Sequence, residues 1–231
     1  MRRVGAITIG GAFLLLSLAA SAQASTTEVT ANGNAFTGGL SFMPASINVR
    51  VGDTVRWRNT DFLVPHTATE DHGLWDLGGS YGGTPANPPG FGPGTTVQRV
   101  FEAGTQAYYC RVHPRQMHGT IRVPVSLSIA RKRVRVRVRH RRPHHRRYRI
   151  KIRRYVVVVW SSTRPAAGLG FDVERRQAGG RWRVIRTATT GTRLRFRIVR
   201  RNRVWQLRAR LRRSGSAAAA SGWSPLASIR S

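Results

Sequence analysis

Apolar and polar residues alternate with a period of two in many short stretches of this chain. Between residues 46 and 57, Ile47, Val49 and Val51 alternate with polar neighbours, and Gly52-Asp53 then marks a turn. This period puts one row of side chains in a core and the next in water, as in a half-buried strand. Further strands are predicted at 28–31 (as an edge strand), 54–57, 97–101, 107–110 and 119–123. Short strands at even spacing predict a β-sandwich for the first half of the chain.

The same period continues after residue 125, but there the polar positions are mostly arginine. Val134, Val136 and Val138 alternate with arginines, and residues 148–153 alternate apolar side chains with Arg and Lys. We expect these stretches to form a hairpin with one apolar and one basic face, turning at 141–147. The run 155–160 predicts a buried strand. Further alternating strands are predicted at 171–173, 182–184, 194–198 and 205–211. The chain is therefore expected to be all-β, with a second β-sandwich after the first.

The first 24 residues have the pattern of a secretory signal peptide. Basic Arg2 and Arg3 precede a short apolar run, and Ala22-Gln23-Ala24 is a small-residue cleavage signal. An uncleaved N-terminal anchor is the alternative, although the apolar run is short for a membrane span. The pattern predicts an exported protein that is periplasmic, on the cell surface or extracellular, with no transmembrane span in the mature chain.

The charge of the chain is very uneven and suggests where one domain ends. The formal net charge is +31, yet residues 25–124 carry seven Arg against seven Asp and Glu. Residues 125–231 hold 31 Lys and Arg, with Asp172 and Glu174 as their only acids. This shift predicts a domain over 25–125 and a second, Arg-rich domain over 126–231, each meeting different partners.

One loop collects the residue types that bind a transition metal. Cys110, His113 and Met117 stand within eight positions, and Cys110 is the only cysteine of the protein. Thiolate and imidazole suit copper or zinc, and a thioether favours copper. A trigonal site of two His and one Cys with a weak axial Met is a blue-copper site, and His66 is the best candidate for the second His. An inert buried thiol is the alternative, but a leftover thiol in an exported protein needs an occupant.

The motifs of residues 25–125 resemble those of a small cupredoxin of the plastocyanin/amicyanin type. The pieces, in family order, are 46–57, Asn59-Thr60-Asp61, Pro65-His66-Thr67, 101–105, Tyr108-Tyr109-Cys110, His113-Pro114 and 117–123. The resemblance implies a Greek-key β-sandwich holding one type 1 copper ion. His66, Cys110 and His113 would bind the metal, Met117 would be the axial ligand, and Thr67 and Asn59 would orient the ligands. Electrons would then pass through the edge of His113 to a redox partner protein.

The other histidines and methionines are not expected to bind copper. His118 and His72 are predicted at the surface, and Met43 in the core. His140, His144 and His145 lie among arginines, which disfavour a metal. The chain has no His-x-His pair, no nucleophile–base pair and no phosphate-binding glycine loop, so we expect an electron carrier and no enzyme. Two alternatives stay open: a copper-binding or delivery protein without electron transfer, and a surface adhesion module.

The second half resembles a divergent fibronectin type III domain, an immunoglobulin-like β-sandwich. The resemblance rests on 158–161, 170–173, 205–210 and 221–225, which include Trp160, Trp205 and Trp223. Because this half is almost free of acids, its arginines should favour bound anions. The prediction is attachment to an anionic cell-envelope polymer or lipid surface, with no specific nucleic acid. A genomic bias towards arginine is the alternative, since only Lys132 and Lys151 are lysines.

Overall fold

The computed structural model describes residues 23–34, 38–78, 90–138, 147–199 and 202–231. Within these ranges all regular structure is β-strand, which confirms the predicted all-β class. The described residues include no helix of the length and hydropathy needed to cross a membrane. Most of the predicted signal peptide, the hairpin turn near 141–147 and the histidines at 140, 144 and 145 lie outside the described residues.

Nine strands form the first sandwich: β1 (Thr26–Asn34), β2 (Gly38–Met43), β3 (Ser46–Asn48), β4 (Thr54–Asn59), β5 (Ala68–Glu70), β6 (Asp76–Leu77), β7 (Thr96–Val100), β8 (Gly104–Tyr109) and β9 (His118–Val123). One sheet has the order β2-β1-β4-β7, and the other has the order β3-β9-β8-β5-β6. The predicted Glu28–Ala31 edge strand is wrong in its position. β1 pairs with β2 on one side and with β4 on the other, because Val29 and Ala31 belong to the buried core.

An aromatic cluster fills the centre of the first sandwich. The ring of Tyr108 lies 4.9 Å from Phe42, 5.5 Å from Trp57 and 6.0 Å from Trp75, measured between centroids. Ile47 and Val49 are buried, as their alternation predicts. Packed aromatic rings contribute much of the stability of a core, so Tyr108 holds β8 firmly two residues before Cys110.

Seven strands form the second sandwich: β10 (Ser126–Val138), β11 (Arg147–Val159), β12 (Leu169–Gln177), β13 (Arg183–Thr189), β14 (Arg193–Arg197), β15 (Val204–Arg213) and β16 (Ala227–Arg230). They make a sheet of order β10-β11-β14 and a sheet of order β13-β12-β15-β16. Val156, Val158, Phe171, Leu207 and Leu211 fill the space between the sheets. The predicted second β-sandwich is confirmed, and its resemblance to fibronectin type III stays a prediction.

The long hairpin of β10 and β11 does not have the predicted apolar and basic faces. In the observed register Val134 faces Lys151, and Arg135 faces Ile150. Residues opposite each other across an antiparallel pair point to the same side, so each face combines an apolar row from one strand with a basic row from the other. The prediction is wrong because like charges opposite one another destabilise a sheet, and this register keeps most of the arginines apart.

Both acids of the second sandwich are used within it. Glu174 Oε2 accepts from Arg208 at 2.7 Å, and Asp172 Oδ2 accepts from Arg210 at 3.0 Å. Arg212 also lies 3.4 Å from the other oxygen of Asp172. These carboxylates hold β12 to β15, and they offer no further charge to the arginine rows of β10, β11 and β14.

Backbone hydrogen bonds join the two sandwiches. Thr105 on β8 exchanges two bonds with Gly222, each 2.9 Å long, and its hydroxyl donates to the carbonyl of Trp223 at 2.8 Å. The amide of Ala103 donates to the carbonyl of Trp160 at 2.7 Å. β8 therefore bonds to the second sandwich at one end and leads into Cys110 at the other.

Candidate metal centre

The loop from Cys110 to Met117 joins two neighbouring strands and is closed by its own backbone. Cys110 follows β8 and Met117 precedes β9, and the amide of Cys110 donates to the carbonyl of Met117 at 3.0 Å. The carbonyl of His113 accepts from the amide of Met117 at 3.1 Å. The pairing of β8 with β9 thus fixes the ends of the loop, and the turn at His113 fixes its middle.

His66 comes from a second loop, before β5, and is held by a bridge to Phe91. The two residues exchange backbone hydrogen bonds of 2.8 and 3.1 Å. Gly90 makes this contact possible, because a Cβ there would lie 2.4 Å from the carbonyl oxygen of His66. Its φ of +117° is also a conformation that other residues rarely adopt.

The three strongest predicted ligands meet at one point. The Sγ of Cys110 lies 3.7 Å from Nδ1 of His66 and 3.8 Å from Nδ1 of His113. The ligand atoms of all three residues lie within 4.8 Å of one another, and no other such group of His, Cys, Asp and Glu occurs among the described residues. The arrangement has one thiol and two imidazole nitrogens around one small space.

The burial of these side chains also fits a metal ion. Cys110, His66 and Met117 are each 0% exposed, and His113 is half-buried. The Sγ of Cys110 and the Nδ1 atoms of both imidazoles face one another, and a metal ion among them would bind all three. Soft sulfur with two imidazoles suits copper, so the donor set fits the ion that the sequence predicts.

The predicted orienting residues, Thr67 and Asn59, do contact the ligands or their loops. The amide of Thr67 donates to Sγ of Cys110 at 3.3 Å, and its hydroxyl accepts from the amide of Arg111 at 2.8 Å. Asn59 donates through Nδ2 to the carbonyls of Val64 and Phe91 at 2.9 and 3.0 Å. Thr67 therefore fixes the thiol, and Asn59 ties together the two segments that hold His66.

Asp61 is the residue of this centre that the sequence interpretation missed. It is 4% exposed, and its Oδ2 lies 3.6 Å from Nε2 of His66. Its other oxygen, Oδ1, accepts from the amide of Leu63 at 3.0 Å. An Asp at the start of a turn usually caps that turn, so the sequence offers no sign that its second oxygen reaches a histidine.

The surroundings keep both histidines neutral. Burial lowers the pKa of His66 to about 4, as does the nearby His113, while Asp61 acts in the opposite direction. Burial also lowers the pKa of His113, again against the effect of Asp61. Neutral imidazole is the form that binds metal, so protons compete little with a metal ion near neutral pH.

The copper-free protein should lose stability as the pH falls from about 6.5 towards 4. Above 6.5, the ordinary pKa of His, neither the folded nor the unfolded chain protonates His66. Below pH 6.5 the unfolded chain binds a proton at His66 that the folded chain does not bind. The free energy of unfolding then falls by up to about 1.4 kcal/mol per pH unit, and by about 3 kcal/mol in all. Urea unfolding at several pH values measures this slope. An equal slope in His66→Gln would show that His66 is not the cause.

The remaining histidines lie where the sequence predicts, but Met43 does not. His72 and His118 are exposed, and Nδ1 of His72 lies 3.2 Å from the carboxylate of Glu70. Met43, expected in the core, is 54% exposed at the end of β2. Phe42, the preceding residue, takes the inward position, because successive strand residues point to opposite faces.

Comparison with known families supports the same metal. Residues 27–124 match the family described as copper binding proteins, plastocyanin/azurin family. This part of the chain is a cupredoxin domain. The resemblance predicted for residues 25–125 is thereby confirmed, as is copper, in a single ion, as the metal of the site.

Solved structures also match the cupredoxin domain. A purple cupredoxin from Nitrosopumilus maritimus is 29% identical over 42% of this chain and 97% of its own, with a TM-score of 0.31. A mutant fern plastocyanin is 22% identical over 42% of this chain and 99% of its own, with a TM-score of 0.31. A copper-containing nitrite reductase from Thermus scotoductus SA-01 is 27% identical over 42% of this chain but 22% of its own, with a TM-score of 0.30.

Proposed function

We propose that this protein is an exported single-electron carrier with a type 1 copper site. The observation that carries the proposal is the unequal burial of the ligands: His113 is half-buried, while His66, Cys110 and Met117 are wholly enclosed. Copper held there supplies a one-electron couple. An outer edge on one ligand gives electrons a short path to a partner.

The rest of the centre supports electron transfer by being stiff. Thr67 and Asn59 fix the thiol and the His66 segments by hydrogen bonds, and β8 and β9 hold the ends of the ligand loop. A site that changes little between the two oxidation states reduces reorganisation. Copper delivery calls for a site that opens, which this enclosure disfavours.

A partner could dock on the loop that precedes His66. Phe62 and Leu63 are 89% and 65% exposed, which is unusual for large apolar side chains next to each other. They stand directly after Asp61, whose carboxylate faces His66. Apolar side chains beside a ligand segment would let a redox partner approach closely and exclude water.

Voltammetry of the copper-loaded protein tests the proposal. We expect one reversible single-electron wave, and we expect the protein to keep its copper over repeated cycles in the presence of a copper chelator. Phe62→Ser should leave the potential unchanged, since it does not touch a ligand. Loss of copper to the chelator on each reduction would instead identify a delivery protein and reject the electron carrier.

Met117→Leu should keep copper bound and raise the reduction potential. A thioether from Met117 would bind copper only weakly, and its removal would favour copper(I) over copper(II). Met117 is fully buried on the same loop as Cys110 and His113, whereas Met43 is exposed. The potential is measured by redox titration, with Met43→Leu as the matched control. A potential unchanged in Met117→Leu would remove Met117 from the ligand set.

The Arg-rich half is proposed to attach the protein to anionic surfaces. Its two acids are already paired with arginines of β15, so its arginine rows must be neutralised from outside. Binding to a polyanion releases counterions and therefore weakens steeply with salt. We expect retention on immobilised heparin at physiological ionic strength and elution at higher salt. Elution below physiological ionic strength would reject surface attachment and favour a genomic bias towards arginine as the reason for the composition.

A further inference from the structure

The outer part of the β10–β11 hairpin extends past its sandwich. We call it the ribbon, residues 131–138 with 147–154. β14 pairs with β11 only from Tyr155 to Val159, and one further bond runs from the amide of Ile198 to the carbonyl of Arg154 at 2.9 Å. Beyond Arg154, the two strands of the ribbon pair only with each other among the described residues. A two-stranded ribbon is marginally stable in water unless one face packs against something.

One face of the ribbon is exposed and combines two kinds of side chain. Ile150 and Ile152 are 66% and 62% exposed, and Tyr148 is 46% exposed. They stand opposite Arg135, Arg133 and Arg137 in the register of the hairpin. The guanidinium of Arg135 lies 4.6 Å from the centre of the Tyr148 ring. The face therefore has a row of cations beside a row of large apolar groups.

This face continues the inner face of the sandwich. Val156 and Val158, which are fully buried, occupy alternate positions of β11 on the same side as Ile150 and Ile152. The opposite sheet covers the two valines but leaves the two isoleucines in water. The two isoleucines thus lie on the side of the sheet that forms the core, at a place that the opposite sheet does not cover.

We propose that this face of the ribbon binds an anionic lipid bilayer, a proposal that rests on the surface attachment proposed above. Arginine reaches anionic headgroups, and neighbouring Ile and Tyr side chains enter the boundary of the acyl region. A soluble polyanion would neutralise the arginines but leave the isoleucines exposed. A second copy of this chain would bring arginine rows against each other.

The test compares vesicles with heparin, using the whole copper-loaded protein. The double variant Ile150→Ser and Ile152→Ser keeps every charge. Binding is measured to vesicles of phosphatidylcholine with phosphatidylglycerol at physiological salt. We expect a loss of at least about tenfold, because two buried aliphatic side chains are removed from the contact. Heparin elution should not change.

The control is Val184→Ser, which removes a 60% exposed apolar side chain from β13 without touching the ribbon. It should bind vesicles as the wild type does. Equal vesicle binding by the isoleucine variant would overturn the lipid proposal and leave a purely ionic contact. If the wild type binds neither vesicles nor heparin at physiological salt, surface attachment itself is rejected, so the two failures are distinct.

A second inference comes from the copper centre and does not depend on the first. The Nε2 of His66 and the Oδ2 of Asp61 are both buried without a hydrogen-bond partner, and they lie 3.6 Å apart. The Nδ1 of His66 faces the thiol, so Nε2 is the nitrogen left to carry the hydrogen. A carboxylate that accepts from the outer nitrogen of a ligand His makes that ligand a stronger donor.

We infer that Asp61 is a positioning residue that lowers the reduction potential of the copper. With the thiolate of Cys110, the carboxylate of Asp61 places two negative charges near the metal. Two negative charges balance copper(II) but exceed copper(I) by one. Because Asp61 is 4% exposed, water screens this charge poorly, and the oxidised form is favoured.

Asp61→Asn tests this inference, since its amide oxygen can still accept from the amide of Leu63. We expect the ratio of copper(I) to copper(II) affinity to rise about tenfold or more, which corresponds to a potential about 59 mV higher. The visible absorption should be retained. Asp61→Ser, whose hydroxyl can also cap the turn, should show a rise of the same sign.

The matched control is Asp53→Asn. Asp53 is also a buried acid, 6% exposed, that accepts from backbone amides of Ser25 and Arg50. It lies at the far end of β4 from Asn59, about 20 Å along the strand. A potential that moves no further in Asp61→Asn than in Asp53→Asn would overturn the inference.

Discussion

Cys110→Ser will abolish the intense visible absorption of the copper(II) protein. The substitution keeps the size of the side chain but replaces a thiolate by a hydroxyl that stays protonated. The strong band of a blue-copper site comes from the copper–thiolate bond, and Cys110 is the only cysteine of the chain. The measurement is an absorption spectrum after addition of copper(II). We expect complete loss of the band.

The fold should survive this change, because the loop is closed by backbone bonds that do not involve sulfur. The amide of Cys110 would still donate to the carbonyl of Met117. Circular dichroism of the copper-free protein checks this point, and Met117→Leu is the comparison variant that should keep its colour. A blue Cys110→Ser protein would show that the thiol is not the ligand.

Gly119→Ala should destabilise the cupredoxin domain more than a surface change would. A Cβ at this position would lie 2.2 Å from Cζ of Tyr108, far inside contact distance. Tyr108 is 1% exposed, and its ring packs against Phe42 and Trp57, so it has nowhere to move. Overpacking of this kind costs about 1–3 kcal/mol and sometimes more. Urea or thermal unfolding measures the loss.

Gly92→Ala is the matched control, since a Cβ at Gly92 meets no atom within 4 Å. Its free energy of unfolding should stay close to that of the wild type. Gly119 lies two residues after Met117, so Gly119→Ala should also alter the copper spectrum. Equal stability of the two variants would mean that the Tyr108 ring can shift, contrary to its packing.

The sequence predicts this protein best where the signal is local. Alternating side chains identify twelve of the sixteen strands that the structure describes, all but β2, β5, β6 and β16. The chemistry of Cys110, His113 and Met117 identifies the metal. A strand can be recognised from the alternation of its own residues, and a metal-binding loop from the ligand residues that it contains. His66 could be chosen because it follows the family order of the preceding motifs.

The features that the sequence did not predict depend on contacts between distant segments. The faces of the hairpin follow from its register, and a shift of one residue turns every side chain of a strand to the other side. The position of β1 between two strands depends on what it pairs with. Asp61 reaches His66 only because the turn at 61–64 folds back, and no periodicity reports that.

The bonds between Thr105 and Gly222 have a mechanical consequence. β8 is a strand of the cupredoxin domain that leads directly into Cys110. Its main chain is also hydrogen-bonded to the second sandwich. Main-chain bonds at this position resist swivelling in a way that a flexible tether cannot. A surface that binds the arginine-rich half would thereby fix the orientation of the His113 edge relative to that surface. Such a carrier would present the same side to all of its redox partners.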